Sequence, residues 1–313
     1  MDAQFDRARL LRVVQLNIAS LFEPDWDLRR VEIVKWLQEL DPDLVCFEEV
    51  TQSPVTPNTA GWVAEQLDAG SSALGRRWHW RFDGDYPTGT TVADGTLFGS
   101  AIMSRWPIDE WTYVHLPVPP AVDGADVSPA AAFPWELVHA KTAGLDVFVT
   151  HLAAAPADGL IRQLQVQFID RFIKQARTSQ DTLGERRSSV PPILCGDFNA
   201  EPDSDEIRFL CGLTSLNGTS TFWQDAWRVA GKPSPENPRG HTQDWRDNPI
   251  AASMNIHAKR IDYIFVGDPF FRRGSGGRVV RADLAFNTPF TGVMASDHRG
   301  LCVDIVWPDR PKT

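Results

Sequence analysis

Short apolar runs, rich in β-branched and aromatic residues and bounded by turn-forming residues, recur along almost the whole chain. Such runs are typical of β-strands. They predict strands at Leu11–Ile18, Leu44–Phe47, Phe98–Ser104, Trp135–Ala140, Leu145–His151, Ile193–Asp197, Ile261–Val266, Val279–Ala285 and Gly300–Val306.

Two longer segments carry apolar residues at a helical spacing instead. These are Asp27–Leu40 and Asp158–Arg177, and a third, shorter helix is predicted at Ser204–Cys211. Long polar segments, which in a compact domain are often functional, separate the predicted elements at Thr51–Asn58, Pro117–Ala131, Ser179–Pro192 and Pro233–Asn255. We find no internal repeat and no linker, so the pattern predicts one α/β domain over residues 1–313, with a core from about 12 to 306.

Composition narrows the choice of partner and compartment. A net charge of −10 argues against non-specific binding to duplex DNA. A local basic strip or a bound metal could still make the charge positive at one place on the surface. The four cysteines lack a C-x-x-C spacing, which predicts free, buried thiols in a reducing compartment. No signal peptide or run of ~18 apolar residues is visible, so we expect a cytoplasmic protein without a membrane span.

Candidate chemistry lies at the ends of the predicted strands. Polar side chains recur there, at Asn17, Glu48, Glu49, His151, Asp197, Asn199, Asp262, Asp297 and His298. Carboxylates gathered at one edge of a sheet would resist joint ionisation, and a divalent cation removes that repulsion. Oxygen ligands from Asp, Glu and Asn suit Mg²⁺ or Mn²⁺, and the histidines lack the spacing of an H-E-x-x-H zinc site.

The order of these fragments resembles the endonuclease/exonuclease/phosphatase superfamily. The matching pieces, in order, are LNI, an acidic pair after a buried strand, GSAIMSRWPI (Gly99–Ile108), THL, RQLQ (Arg162–Gln165), GDFN, RIDYIFV and SDH. Single pieces are weak signals, but the ordered set runs from about Arg12 to Ile305.

The resemblance implies a fold and a set of roles. The fold is a four-layer α/β sandwich, in which two packed, mostly antiparallel sheets are flanked by helices. Asn17, Glu49 and Asp297 would surround the metal, and Asp197 would orient and deprotonate the attacking water. Asn199 would hold the scissile phosphate. His151 and His298, the latter paired with Asp262, would contact the phosphoryl oxygens.

The acidic pair departs from the family pattern. Members usually carry Gln-Glu at this point, where this chain has Glu48-Glu49. Glu49 is assigned to the metal because it is the second residue of the pair, the position of the family's glutamate. The alternation of side chains along a strand would then send Glu48 the other way.

The core fragments leave the phosphate ester open. A nuclease or nucleic-acid phosphodiesterase is favoured by the basic segment Arg272–Arg281 and by loop tryptophans that could stack on bases. The acidic charge favours the alternative, a phosphatase or phosphodiesterase acting on a small molecule or a lipid headgroup. A scaffold protein that has lost catalysis would lack several of these groups, whereas this chain retains them.

Overall fold

The structure is a computed structural model that describes residues 6–71, 77–86, 95–119, 133–183, 189–251, 257–267 and 276–311. Its strands are β1 (Leu10–Asn17), β2 (Leu44–Gln52), β3 (His79–Asp85), β4 (Leu97–Ser104), β5 (Ile108–His115), β6 (Glu136–Thr142), β7 (Leu145–His151), β8 (Ile193–Asp197), β9 (Trp223–Asp225), β10 (Asp262–Gly267), β11 (Val279–Ala285) and β12 (Gly300–Val306). The helices are α1 (Trp26–Leu40), α2 (Thr59–Ser71), α3 (Gly159–Leu183), α4 (Asp205–Leu210) and α5 (Ala226–Ala230).

The strands form two six-stranded sheets with the orders β11-β12-β1-β2-β4-β3 and β5-β6-β7-β8-β10-β9. Neighbouring strands are antiparallel except for the pairs β1/β2 and β7/β8, which are parallel. In each parallel pair the two strands therefore end at the same edge of their sheet. The polar residues were expected to gather at such an edge.

Three apolar clusters give the fold its layers. One lies between the sheets and includes Val13 and Val149. A second packs Ile33 of α1 and Val63 of α2 against the first sheet, and a third packs Ile169 of α3 against the second sheet. The predicted four-layer α/β sandwich is confirmed.

The predicted helices and strands are all present, but several elements were missed. Strands β7, β8, β11 and β12 have the predicted ends, and the other predicted elements have shifted ends. The missed elements are α2, α5, β3, β5 and β9. Strands β3 and β5 are largely half-buried or exposed, so they lack the continuous apolar run that marks a central strand. Helix α2 contains two glycines, which lower helix propensity.

Some sequence predictions fall partly outside the described residues. They are the loops that include residues 120–131, 184–188 and 252–256, and residues 272–275 of the basic segment. None of the described helices has both the length and the apolar character that a membrane span requires.

Glu136, at the start of β6, lies in the interior with an exposure of 0%. Ser100 donates a hydrogen bond to Oε1 at 2.8 Å, whereas Oε2 is buried without a hydrogen-bond partner in the described part of the chain. Burial, assisted by nearby Asp83, raises the pKa of Glu136 to about 8. The folded chain therefore retains a proton at neutral pH that the unfolded chain releases.

We expect Glu136→Gln to be more stable than the native chain at alkaline pH, by on the order of 3 kcal/mol. Because the folded-state pKa is raised, native stability falls as pH rises from the ordinary glutamate range to about 8. The variant lacks that loss because its amide does not ionise. Chemical denaturation at pH 5 and pH 9 measures the change, with exposed Glu65→Gln as the control. An equal difference from the native chain at both pH values would contradict the prediction.

Candidate active site

The polar strand ends meet at one edge of the sandwich. In the parallel ladders Asn17 lies opposite Glu48, and His151 lies opposite Asp197. Antiparallel β10 begins with Asp262 beside Asp197. Hydrogen bonds and close approaches join the predicted site residues here: Asn17, Glu49, His151, Asp197, Asn199, Asp262, Asp297 and His298.

A β-bulge places both glutamates of the acidic pair on the same side of β2. The β2/β4 register shifts at this pair, and Glu49 has a positive φ of 56°. Gln15 donates to Glu48 Oε2 at 2.8 Å, and Asn17 donates to Glu49 Oε1 at 3.0 Å. The prediction that Glu48 points the other way is therefore wrong, because the extra residue of a bulge breaks the alternation of side chains.

Glu48 belongs to a buried network behind the site. Its side chain is fully buried, and Gln15 Nε2 bridges Glu48 Oε2 at 2.8 Å and Asp262 Oδ1 at 3.0 Å. Burial and then the charge of Asp262 raise the pKa of Glu48 well above its ordinary value. The carboxyl group thus tends to stay protonated, which limits the repulsion between it and Asp262. Sequence reasoning missed Gln15, whose only signal was a polar residue inside an apolar strand.

Asn17 bridges two carboxylates. Its Nδ2 donates to Glu49 Oε1 at 3.0 Å and to Asp197 Oδ2 at 3.1 Å, while its Oδ1 accepts a hydrogen bond from Ala19 N. The amide thus presents its donor to the carboxylates, and a cation would require the amide oxygen instead. In this arrangement Glu49 and Asp297 are the ligands more directly available to a metal.

Asp262 and His298 form a buried pair. Asp262 Oδ2 lies 2.9 Å from His298 Nδ1, which leaves Nε2 to face Asp197 at 3.8 Å and Asp297 at 3.7 Å. Burial disfavours the cationic ring, but the carboxylates, led by Asp262, outweigh it and hold the pKa of His298 well above its ordinary value. The predicted Asp262–His298 pairing is confirmed.

His151 also approaches Asp197, and its ring lies in an apolar wall. Its Nε2 lies 3.6 Å from Asp197 Oδ2, and its ring contacts Phe98 and Trp135. Burial lowers the pKa of His151. The two histidines beside Asp197 therefore favour different charge states, one cationic and one neutral.

Asn199 fixes the turn that follows β8. Its backbone N–H donates to Asp197 Oδ1 at 2.9 Å, and its side-chain Nδ2 donates to the carbonyl oxygen of Leu152 at 3.0 Å. A positive φ of 48° turns the chain at this residue. The side-chain amide is thus engaged with the main chain of the site, and its backbone orients Asp197.

Gln243, in the long segment before β10, is a site residue that sequence reasoning missed. Its Nε2 lies 3.4 Å from Asp297 Oδ2 and 3.3 Å from His298 Nε2. Its backbone bridges both His298 and Lys259. Because the segment is irregular, no periodicity in the sequence marks this glutamine as a site residue.

Arg29 of α1 lies next to the loops that follow Asn17 and precede Asp297, with an exposure of 0%. Its guanidinium donates to six backbone carbonyl oxygens, those of Ile18, Ala19, Ser20, Glu23, Pro24 and Ala295. It therefore ties the loop after Asn17 to the loop before Asp297.

The residues present fit a divalent cation. Burial, followed by the nearby charge of Asp297, raises the pKa of Glu49 to about 7, so the two carboxylates repel each other and a cation would relieve that repulsion. Asp197, Asp262 and His298 also place one potential ligand atom each within 4.8 Å of one another. Of these, His298 Nδ1 and both oxygens of Asp262 already have hydrogen-bond partners.

Sequence comparison assigns the family. The profile of the endonuclease/exonuclease/phosphatase family matches residues 14–298. The chain belongs to this family. The resemblance seen in the ordered fragments is thereby confirmed, and no curated protein sequence matches this endonuclease/exonuclease/phosphatase family member significantly.

Solved structures of low identity share the fold of this family member. The endonuclease/exonuclease/phosphatase of Beutenbergia cavernae has 21% identity and a TM-score of 0.61, over 97% of this chain and 73% of that one. TDP2 of D. rerio, complexed with single-strand DNA product, has 17% identity and a TM-score of 0.59, over 95% and 98%. The catalytic domain of human nocturnin, with bound sulfate, has 20% identity and a TM-score of 0.58, over 96% and 94%.

Proposed function

We propose that this protein hydrolyses phosphate esters with the help of Mg²⁺ or Mn²⁺, and that its preferred substrate is a phosphodiester of nucleic acid. The observation that carries the proposal is the arrangement around Asp197. Asn17 links Asp197 to Glu49 through hydrogen bonds of its side-chain amide. His298, which Asp262 holds cationic, lies with its Nε2 3.8 Å from Asp197 Oδ2 and 3.7 Å from Asp297 Oδ2. Phosphoryl transfer requires a positioned nucleophile and stabilisation of negative charge.

Each side chain has a role in this proposal. Asp197, oriented by Asn17 and by the Asn199 backbone, accepts the proton of the attacking water. His298 supplies positive charge to the phosphoryl oxygens, and His151 donates a hydrogen bond to them. Asn199 contacts the scissile phosphate in this proposal.

Glu49 and Asp297, with Asn17, would hold the cation. A bound Mg²⁺ or Mn²⁺ would supply Lewis-acid stabilisation of the charge that develops on the phosphoryl group. Gln243 lies within 3.4 Å of Asp297 Oδ2, so it is placed to fix the orientation of that carboxylate.

The surroundings of His151 support a nucleic-acid substrate. Half-buried Phe22 and Phe133 belong to a connected group of aromatic rings that reaches His151 through the buried rings of Phe98 and Trp135. Accessible aromatic rings stack on bases without regard to sequence. TDP2 of D. rerio, a structural relative, is known in complex with single-strand DNA product.

Two observations favour the alternative, a small-molecule or lipid-headgroup phosphate. The net charge is −10, and Arg281, in the described part of the basic segment, is ion-paired with Asp283 and therefore less available to a DNA backbone. Of the loop tryptophans, Trp78 and Trp223 are buried, whereas Trp245 is 47% exposed.

Hydrolysis of a substrate panel tests the proposal. The panel contains single- and double-stranded DNA, RNA, p-nitrophenyl phosphate, bis-p-nitrophenyl phosphate and phosphorylated small molecules, each with Mg²⁺, Mn²⁺ or EDTA. Asp197→Asn should abolish metal-dependent turnover, and Asp109→Asn, on an exposed position of β5, is the matched control. Activity that survives Asp197→Asn or EDTA would refute the mechanism. A steep decrease in substrate affinity as the salt concentration rises would favour nucleic acid over a small phosphate ester as the substrate.

Metal affinity should depend on pH through Glu49. Its pKa of about 7 means that below this pH the cation must displace a proton. We expect the apparent Kd for Mn²⁺ to fall roughly tenfold per pH unit up to about pH 7 and to level off above it. Calorimetric titration from pH 5.5 to 8.5 measures this. Glu49→Gln should bind more weakly and without that dependence, and a flat native profile below pH 7 would contradict the assignment.

We also propose that residues 1–313 form one domain, with its core between about 12 and 306, and that the protein works in the cytoplasm. All four cysteines are free and buried, as predicted, which supports a reducing compartment.

A further inference from the structure

A cavity of about 400 Å³ opens beside α5. Its walls include Trp227 and Arg228 at α5, Arg239 and His241 in the segment before β10, and Arg260. Gly240 has a positive φ of 70°, and a Cβ at this position would lie 2.2 Å from the Trp227 ring. The glycine thus lets the segment that carries Arg239 and His241 lie directly against the indole.

The cavity adjoins three segments that carry site residues. Glu201, His241 and Arg260 line it, and each is two residues away along the chain from Asn199, Gln243 and Asp262, respectively. Two residues of extended chain span at most about 7 Å. A group bound in the cavity could therefore belong to the same substrate molecule whose phosphate lies at Asp197.

The cavity wall offers cations without carboxylate partners. Arg228 and Arg239 are exposed, and in the described part of the chain no carboxylate lies within ion-pair distance of either guanidinium. Of the two acidic residues in the wall, Glu201 is paired with His257 at 2.7 Å, which leaves Asp203 to oppose the arginines. The balance of unpaired charge favours an anion.

Two buried nitrogen atoms of residues in the same wall have no hydrogen-bond partner among the described residues. Arg260 is only 5% exposed; its Nη2 donates to Asp225 at 2.8 Å, but its Nη1 has no hydrogen-bond partner in the described residues. His241 Nδ1 is likewise buried and unpartnered there. Buried polar groups are normally hydrogen-bonded, so these atoms mark an incomplete site.

We propose that this cavity binds a second phosphate group of the substrate, next to the phosphate that is hydrolysed. The inference rests on the proposed function and deepens it. Arginine is the side chain that best matches phosphate oxygens, through parallel N–H donors in a planar fork. The second phosphate has two sources with the same chemistry: the neighbouring nucleotide of a nucleic-acid strand, or a further phosphate on a small molecule.

Binding of inorganic phosphate tests the cavity without reference to turnover. Equilibrium dialysis of the full chain with Mg²⁺ and labelled phosphate should count two sites in the native protein. The double variant Arg228→Gln/Arg239→Gln should lose one of them. Arg171→Gln, which removes the same charge from an exposed position of α3, should retain both. An unchanged number of sites in the double variant would overturn the inference.

Paired substrates distinguish the two sources. One pair is a p-nitrophenyl ester of a mononucleotide with and without a second, 3′-phosphate; the other is a sugar phosphate with and without a second phosphate. In the native protein the second phosphate should lower KM about tenfold in the pair that matches the natural source. The double variant should lose this ratio and Arg171→Gln should keep it. If both pairs are hydrolysed and the ratio of KM without to KM with the second phosphate is near one in each, the inference is overturned. If no substrate is hydrolysed, the result counts against the proposed function, and the dialysis experiment decides whether the cavity binds phosphate.

Discussion

Asp262→Asn should lower kcat by about 10³–10⁴-fold, the size of effect seen when a histidine loses its orienting carboxylate in a hydrolase site. Asp262 accepts from His298 Nδ1 and, among the carboxylates around the ring, contributes most to the raised pKa of His298. An amide in its place removes that charge. Because the pKa of His298 then falls, the residual activity should decline at a lower pH than the native activity does. A pH profile of kcat on the best substrate of the panel measures both effects.

The chain provides a matched control for this change. His139 and Asp146 form another buried pair, with 3.0 Å between Nε2 and Oδ1, on strands β6 and β7. Asp146→Asn removes a carboxylate from a histidine without touching the site and should leave kcat unchanged. Equal losses in the two variants would mean that Asp262 acts through stability alone, and an unshifted pH profile in Asp262→Asn would contradict its effect on His298.

Arg29→Met should cost about 3–5 kcal/mol of unfolding free energy and should weaken metal binding. The guanidinium donates to six backbone carbonyl oxygens, and methionine leaves these buried acceptors without donors. Two of the released carbonyls lie near the predicted metal ligands: Ile18 directly follows Asn17, and Ala295 lies two residues before Asp297. Denaturant unfolding and calorimetric titration with Mn²⁺ measure the two effects.

Arg30→Met is the control on the same helix. Arg30 pairs with exposed Asp27 and lies over the ring of Trp62, so its loss should cost about 1 kcal/mol or less and should leave Mn²⁺ affinity unchanged. If Arg29→Met bound Mn²⁺ as tightly as Arg30→Met does, Arg29 would stabilise the fold without positioning the metal ligands.

The residues of the candidate active site could be predicted from sequence because their signals are local. An apolar strand ends where a polar residue follows it, and parallel strands end at the same edge, so the fragments ending in Asn17, His151 and Asp197 point to one site. The pairing of Asp262 with His298 followed from the family resemblance, and the structure shows it at 2.9 Å.

The supporting residues could not be identified in this way, because their partners are distant in sequence. Gln15 and Asp262 are 247 residues apart, and Gln243 and His298 are 55 apart. Nothing within a few positions of either glutamine distinguishes it from a solvated side chain. Arg29 was missed for a related reason, since its partners are backbone carbonyls, which every residue carries.

The sequence by itself determined the order of the predicted elements and the strand ends that carry the polar groups, because periodicity and turn chemistry are properties of neighbouring residues. The four-layer α/β class followed from the family resemblance of the ordered fragments. Only the tertiary structure decided which way Glu48 points, since one extra residue in β2 reverses the expected face. It also decided the charge preferences of Glu49, His151 and His298. These depend on burial and on carboxylates brought together by strand pairing, and no local pattern encodes that proximity.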